Sequence, residues 1–392
     1  MRRVAISVGK CGRPGWAALL ALLALCVATT ASVPAVFAQQ QDEPPTESAT
    51  EPPPPEIQPS PLEAPMPTPA LTPVPVFSMG VAMVTAWQGG QPNLEPLVSP
   101  VGLIPIGQKW LVEGRGTFES DLIPDPTGLG WKGYLEEEAD YVQVDYLANK
   151  YVTFSFGRFL TPFGIFNERL YPVWIRNLQS DPLILPISTG PSGAGTGAML
   201  RGAFNLTPKA ELNYTTYFST KLTTTPFDSD REWGFRTGVY LPGPRVEFGA
   251  SFQHLLQADR SNSFGFHFAW QPPPLPLDVR AEYARSSNGS GYWVEGAYKL
   301  SQVPMWQNEM RHVQLVARMQ EYFRGEFEDE DGDLPAVNTK LFEFGMNYYF
   351  RDDIRFVSSY GRQFAAEGGN ENVWTVGVTY RLVMPVGHGD VR

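Results

Sequence analysis

The sequence predicts an all-β chain, a transmembrane antiparallel β-barrel of sixteen strands with fourteen as the alternative count, and three observations carry the prediction. Apolar and polar residues alternate with period two in one short segment after another from about Phe77 onward, as in strands with one apolar face. The connections between these segments are alternately short and long. The one sustained apolar run, Trp16–Ala28, stands at the extreme N-terminus and is shorter than the ~20 residues a spanning helix needs.

The first element is an export signal at residues 1–38. Arg2, Arg3, Lys10 and Arg13 precede the apolar run, and Val36-Phe37-Ala38 leads to a cleavage point before Gln39. A lipidation signal would place a small residue before Cys26, where this chain has Leu25. Cys11 and Cys26 both fall inside the signal, so the mature chain is expected to contain no thiol. Disulfide scaffolds and cysteine-ligated metal sites are thereby excluded.

Residues 39–76 form a linker. Thirteen prolines lie between Pro44 and Pro75 among Glu, Ser, Thr and Ala, a composition that buries too little apolar surface to offset its ordering entropy. The four basic signal residues removed, 26 basic residues remain against 41 acidic ones, a net charge of −15. That surplus argues against nucleic acid as a partner, because phosphates demand clustered Lys and Arg.

The barrel occupies residues 77–392. Val142, Val144 and Tyr146 alternate with Tyr141, Gln143 and Asp145, and after a turn at Asn149-Lys150 the rhythm continues through Val152, Phe154 and Phe156. Later faces are Trp233-Phe235-Thr237-Val239, Phe264-Phe266-Phe268-Trp270, Phe342-Phe344-Met346-Tyr348 and Trp374-Val376-Val378-Tyr380. Fourteen strands can be drawn from Lys109 onward; Val76–Gln88 adds one, and an even count needs another, poorly patterned, within Gly89–Gln108.

Short turns at Asn149-Lys150, Leu206–Lys209, Pro242–Pro244, Pro272–Pro276, Ser301–Gln307 and Arg351–Asp353 alternate with longer connections, the longest being the 33 residues Thr161–Gly193. Short turns at one end and long loops at the other are the layout of an outer-membrane barrel. A closed sheet is also the only β-structure that pairs every backbone amide in lipid. A soluble sandwich, the remaining rival, has no such bias between its ends.

If the apolar faces meet lipid, the alternate residues line a lumen. This set contains Arg115, Arg201, Arg236, Arg245, Arg280, Lys299, Arg318, Arg355 and Arg381, against Glu113, Asp145, Glu211, Glu232, Glu247, Asp278, Glu282, Glu295 and Glu343. Nine bases against nine acids predict ion pairing between strands rather than a filter of one sign. Thr161–Gly193 is apolar and rich in Pro, Trp and Ile, so it is expected to fold inward, with Glu168, Arg169, Arg176 and Asp181 at a constriction. The acidic run Glu326–Asp333 has its glycine at the wrong offset for a calcium loop. The histidines show no paired metal spacing, and no hydrolase or phosphate-loop motif occurs.

Several strings resemble the phosphate-selective porin O and P family of outer-membrane channels: Tyr151–Gly164 (YVTFSFGRFLTPFG), Leu341–Phe356 (LFEFGMNYYFRDDIRF) and Gly291–Ser301 (GYWVEGAYKLS). The resemblance implies a sixteen-stranded homotrimeric channel whose third outer loop enters the lumen and whose basic lining selects anions. The chain departs from that pattern in two places. Leu382-Val383-Met384 is followed by Pro385–Arg392 where such chains end in an aromatic residue, and the mixed lumen does not favour phosphate. The expectation is a porin without cofactor or catalytic residues, its partners outer-membrane lipid and small hydrophilic solutes or ions. A non-conducting envelope anchor or adhesin is the alternative, and an outer-membrane hydrolase the more distant one.

Overall fold

The computed structural model describes residues 2–7 and 74–386 apart from 89, 126, 128–129, 190–192, 221–230, 257–259, 326–333 and 367. The expected signal beyond Ser7, most of the linker, the acidic run Glu326–Asp333 and His388 lie outside these residues. Arg2–Ser7 forms a short strand antiparallel to Lys132–Glu137.

Sixteen antiparallel strands follow, each paired with its neighbours in sequence. They are β1 (Val76–Gln88), β2 (Gln91–Ile106), β3 (Trp110–Pro124), β4 (Trp131–Asn149), β5 (Val152–Leu160), β6 (Ala194–Thr207), β7 (Ala210–Thr220) and β8 (Arg231–Leu241). Then come β9 (Val246–Leu255), β10 (Asn262–Trp270), β11 (Leu277–Arg285), β12 (Gly289–Lys299), β13 (Val313–Arg324), β14 (Thr339–Tyr349), β15 (Ile354–Ala365) and β16 (Glu371–Pro385). The last strand pairs with the first from Trp374↔Trp87 to Pro385↔Val76, which closes the ring. No edge is left among these strands, the condition under which a sheet can stand in an apolar solvent.

Burial is inverted relative to a soluble β-protein. Phe266 and Phe344 on the apolar faces are 59% and 64% exposed, whereas Arg318, Glu343 and Asn347 on the alternate faces are 3%, 2% and 1% exposed. The apolar faces therefore point outward and the charged faces inward, and a sandwich around an apolar core is excluded. The ends of the barrel differ as the turn pattern implies, with three exceptions. At the long-loop end the β1–β2 pairing reaches Gln88↔Gln91, and only three residues separate Arg285 of β11 from Gly289 of β12. At the short-turn end, Leu300–Gln302 and Gln307–Met310 form short helical turns between β12 and β13.

β2 is the strand whose pattern was hardest to see, because Pro92, Pro96, Pro100 and Pro105 interrupt it. Its ladder with β1 is continuous, but its pairing with β3 skips residues 95–96 and 99–100. Proline has no N–H to donate, so residues of one parity cannot bond that neighbour. At the second gap Ser99 Oγ donates instead to the Gly116 carbonyl at 3.1 Å.

A β-bulge marks the next seam, where the β3–β4 register shifts so that Arg115 faces Tyr141 but Gly116 faces Ala139. The extra residue is Asp140, which is 2% exposed and binds Arg115 at 3.0 Å. The bulge changes the parity of the inward face: below it Tyr141, Gln143 and Asp145 point in, above it Glu138 and Glu136.

Candidate functional site

The 33-residue connection between β5 and β6 lies inside the barrel, because its partners are the inward-facing side chains of the wall. It leaves β5 through Thr161, fully buried, and turns at Gly164, where φ is +61°. A Cβ at Gly164 would stand 2.1 Å from Glu282 Oε1, so the close approach to β11 requires glycine. Gly164 N–H donates to Ser251 Oγ at 3.0 Å, and the N–H groups of Ile165 and Phe166 donate to Glu282 Oε2 at 3.0 and 3.2 Å. A single π-helical turn, Phe166–Leu170, follows.

Apolar packing holds this segment against one side of the wall. Phe163, Ile165, Phe166, Leu170, Ile184 and Ile187 of the loop form one buried cluster with Ala284, Trp293, Tyr322 and Leu334. Phe166 meets Trp293 edge to face with centroids 6.1 Å apart. Each such side chain contributes about 1.5–3 kcal/mol on burial, which favours a docked loop over a solvated one. Two smaller contacts extend the seam: Val173 packs on Ala82 and Val84 of β1, and Leu178 on Ala297 and Val316.

Polar anchors hold the loop from Val173 to Leu183. Asn177 Nδ2 donates to Glu295 at 2.8 Å and its carbonyl accepts from Asn347 Nδ2 at 2.9 Å. Ser180 lies between Glu343 and Arg318, and Gln320 Oε1 accepts from Leu183 N–H at 2.8 Å. Arg355 donates to the Val173 carbonyl at 3.1 Å and rests on the Trp174 ring. These partners belong to β12 through β15.

The four charges expected at a constriction are all on this inner loop, and each is paired. Glu168 meets Arg236 at 2.6 Å and Arg201 at 3.3 Å. Burial would raise its carboxyl, but Arg236, Arg201 and Arg169 outweigh burial and hold it below the ordinary 4.5. Arg169 binds both oxygens of Glu247 at 2.8 Å, and Arg176 binds Asp181 at 2.6 Å. Tyr171 is held between Arg115 and Arg176, whose guanidinium carbons are 5.1 and 4.7 Å from its ring centre.

The predicted lumen bases are placed as follows. Arg115 pairs with Asp140, Arg201 with Asp145 at 2.8 Å and Glu113 at 3.6 Å, Arg280 with Asp278 at 2.5 Å, and Arg318 with Glu343 at 2.6 Å and Glu295 at 3.8 Å. Arg355 has backbone, hydroxyl and ring partners instead of a carboxylate. Arg245 is the correction. It is exposed in the turn between β8 and β9 with φ +53°, so it stands at the rim and not on the wall. It stands one residue before the start of β9, where the alternation of the strand does not yet apply.

Between the loop and the opposite wall two spaces stay open. One, of about 590 Å³, is bordered by Glu113, Tyr141, Glu168, Arg201, Tyr214 and Arg236. The other, of about 280 Å³, is bordered by Glu95, Glu119, Asp121, Asp181, Arg115 and Arg176. Among the described residues no cation lies within ion-pair distance of Glu95, Glu119 or Asp121; Asn93 Nδ2 donates to Glu95 at 2.8 Å and to Asp121 at 3.3 Å. These three carboxylates, the bulge residue Asp140, and the loop anchors Asn347 and Gln320 were not singled out in the sequence. The sequence signal for the bulge is Glu136-Glu137-Glu138-Ala139-Asp140, where alternation fails.

Neither a family profile nor any curated protein sequence matches this chain. Solved structures do match in fold. Salmonella typhi OmpF in complex with daunomycin superposes with a TM-score of 0.54 at 10% identity over 78% of this chain and 97% of that one. Pseudomonas putida OprB at low pH gives 0.51 at 9% identity over 79% and 91%. In-vitro folded OmpT, an outer membrane protein of Vibrio cholerae, gives 0.51 at 10% over 80% and 99%. At such identities the likeness is one of fold, the sixteen-stranded porin barrel.

Proposed function

We propose that this chain is an outer-membrane porin through which small hydrophilic solutes and ions diffuse passively, exported by the signal at residues 1–38, with the linker at 39–76 as a spacer. The observation that carries the reading is the one-sided docking of the inner loop. It covers the wall from β9 to β15 and, among the described residues, leaves open, polar space along β2 to β8. A plugged anchor or adhesin would have that space filled. The hydrolase alternative is weakened because Ser251 is buried and its Oγ is engaged by the Gly164 N–H.

Purified protein in planar bilayers should give stepwise conductance. A silent barrel that nevertheless inserts and shows heat-modifiable migration would overturn the reading in favour of an anchor. Assembly as a homotrimer, implied by the resemblance to the phosphate-selective family, is testable in the same preparation by native mass.

Anion selection, implied by that resemblance, would need a guanidinium facing the open space without a carboxylate. The cations there are paired, whereas Glu95, Glu119 and Asp121 are not. Where these crowded carboxylates are ionised, this favours a modest preference for cations, since charge of one sign along a pore sets its selectivity. Reversal potential in a salt gradient decides between them: the sign for cation preference is expected, and the opposite sign would restore the anion reading.

A further inference from the structure

β4 outruns its neighbour at the long-loop end of the barrel. Its pairing with β5 stops at Val142↔Arg158, and β5 itself ends at Leu160, where the chain turns into the lumen. Its pairing with β3 continues to Pro124↔Trp131. Residues 131–139 therefore have a barrel strand on one side only. Asp125 N–H donates to the Gly130 carbonyl at 2.8 Å across the β3–β4 hairpin. Backbone groups alternate in direction along a strand, so the even-numbered residues bond β3 and the odd-numbered ones turn their N–H and C=O groups away from it. The Ala139 carbonyl marks that outer side, where it accepts from Arg158 Nε at 2.6 Å, a side chain standing where a strand would be. Gly133, Leu135 and Glu137 share its direction, and no proline interrupts the segment.

We propose that this edge of β4 is a docking site for an extended basic segment of another protein, which adds to it as a further strand. Arg2–Ser7 already pairs with it antiparallel, with Arg2 opposite Glu137, Arg3 opposite Glu136 and Val4 opposite Leu135, so the edge is straight and open enough to accept a strand. In a membrane that segment cannot be the occupant. The chain enters β1 at Val76, at the short-turn end, whereas the edge is at the long-loop end with the bilayer between them. A strand that docks here comes from outside. Its charge follows from the residues that meet it. Glu136 stands opposite Glu119 of β3, and among the described residues neither Glu136 nor Glu137 has a cation partner. The nearby cations are taken, Arg158 by Glu138 at 3.0 Å and Lys132 by Asp125 at 3.1 Å. Opposite charges across a strand pair attract and like charges repel. A basic segment is therefore favoured over the same acidic edge of a second copy, and over an anionic lipid headgroup. The site goes beyond the porin reading and stands whether or not the barrel conducts.

The test uses the purified protein in net-neutral phosphatidylcholine vesicles and a fluorescent peptide with the sequence of residues 2–7, Arg-Arg-Val-Ala-Ile-Ser. Fluorescence anisotropy should report saturable binding that weakens as salt is raised. The same peptide with both arginines replaced by glutamate should bind about tenfold more weakly, two cross-strand charge pairs having been reversed. Hydrogen exchange should show the Gly133, Leu135 and Glu137 amides gaining protection with the peptide, while those of Lys132, Tyr134 and Glu136, already bonded to β3, stay as they were. Leu135→Pro removes an N–H that no barrel strand uses, so the barrel is retained and peptide binding is lost. Glu136→Gln combined with Glu137→Gln should weaken binding several-fold and flatten its salt dependence. Equal binding of the two peptides, or wild-type affinity in L135P, overturns the proposal. So does protection of Gly133, Leu135 and Glu137 that is present without peptide and rises with protein density, which would name a second copy as the occupant. If L135P does not insert, the paired glutamine variant and the exchange pattern decide.

Discussion

The two sides of the lumen are built from the same residue types and put to different use. On β9 to β15, inward Glu, Arg, Asn and Gln residues are nearly all engaged by the loop: Glu282, Glu295, Gln320, Glu343, Asn347 and Arg355 each hold its backbone or side chains. On β2 to β4, the inward carboxylates Glu95, Glu119 and Asp121 face open space. The difference teaches that the inward polar face of a barrel strand does not encode lining or anchoring. Where apolar loop side chains find Trp293, Tyr322 and Ala284, the polar neighbours become anchors; where no apolar partner is offered, they border open space without an ion pair.

The contrast can be broken most strongly at the engaged side. Arg318→Ala would leave Glu343 and Glu295 buried without their cation, a loss of about 3–5 kcal/mol. The expected outcome is a lowered midpoint for heat-modifiable migration and a larger, noisier conductance as the loop detaches. Unchanged conductance would mean the loop is held without this anchor.

Next in size is Trp293→Ala, which removes the ring under Phe166 and should cost about 3–5 kcal/mol. Exchange protection of residues 163–170 should fall while the strand amides of β2 to β4 keep theirs. Equal loss on both sides would erase the distinction drawn above.

Glu168→Gln is expected to be milder, about 1–3 kcal/mol, because Arg236 and Arg201 lose a charged partner. Its carboxyl is held below 4.5 in the folded protein, so its contribution is fully present at neutral pH and lost only as pH falls through that lowered value. Acidification from neutral to about pH 5 should therefore leave Glu168 pairing intact. Loss of one anion beside Arg201 and Arg236 should also shift the reversal potential toward anions.

The smallest change in stability belongs to the open side. Glu119→Gln combined with Asp121→Asn should alter stability by no more than about 0.5 kcal/mol, since neither carboxylate has a cation partner to lose. The same pair should move reversal potential further than its stability effect suggests, by lowering cation preference. A large stability loss would show that these carboxylates anchor something after all.

Sequence legibility follows the same division. Period two, the alternation of turn lengths and the count of sixteen were readable because each depends on a strand's own side chains and on its immediate neighbours. β2 was the exception: Pro92, Pro96 and Pro100 mask alternation, and only pairing with β1 reveals the strand. The inner position of Glu168, Arg169, Arg176 and Asp181 was readable from the length and apolar content of Thr161–Gly193. Their partners were not, since Glu168 reaches Arg236 across 68 positions of sequence and Ser180 reaches Glu343 across 163.

By itself, then, the sequence determined a chain of alternating strands with an outward apolar face, because that information is local and repeats every two residues. The tertiary structure alone decided which inward charges are spent on ion pairs, where the Asp140 bulge reverses the facing of β4, and which wall the loop covers. Those outcomes depend on ring closure and on long-range packing, which bring together residues that no local period relates.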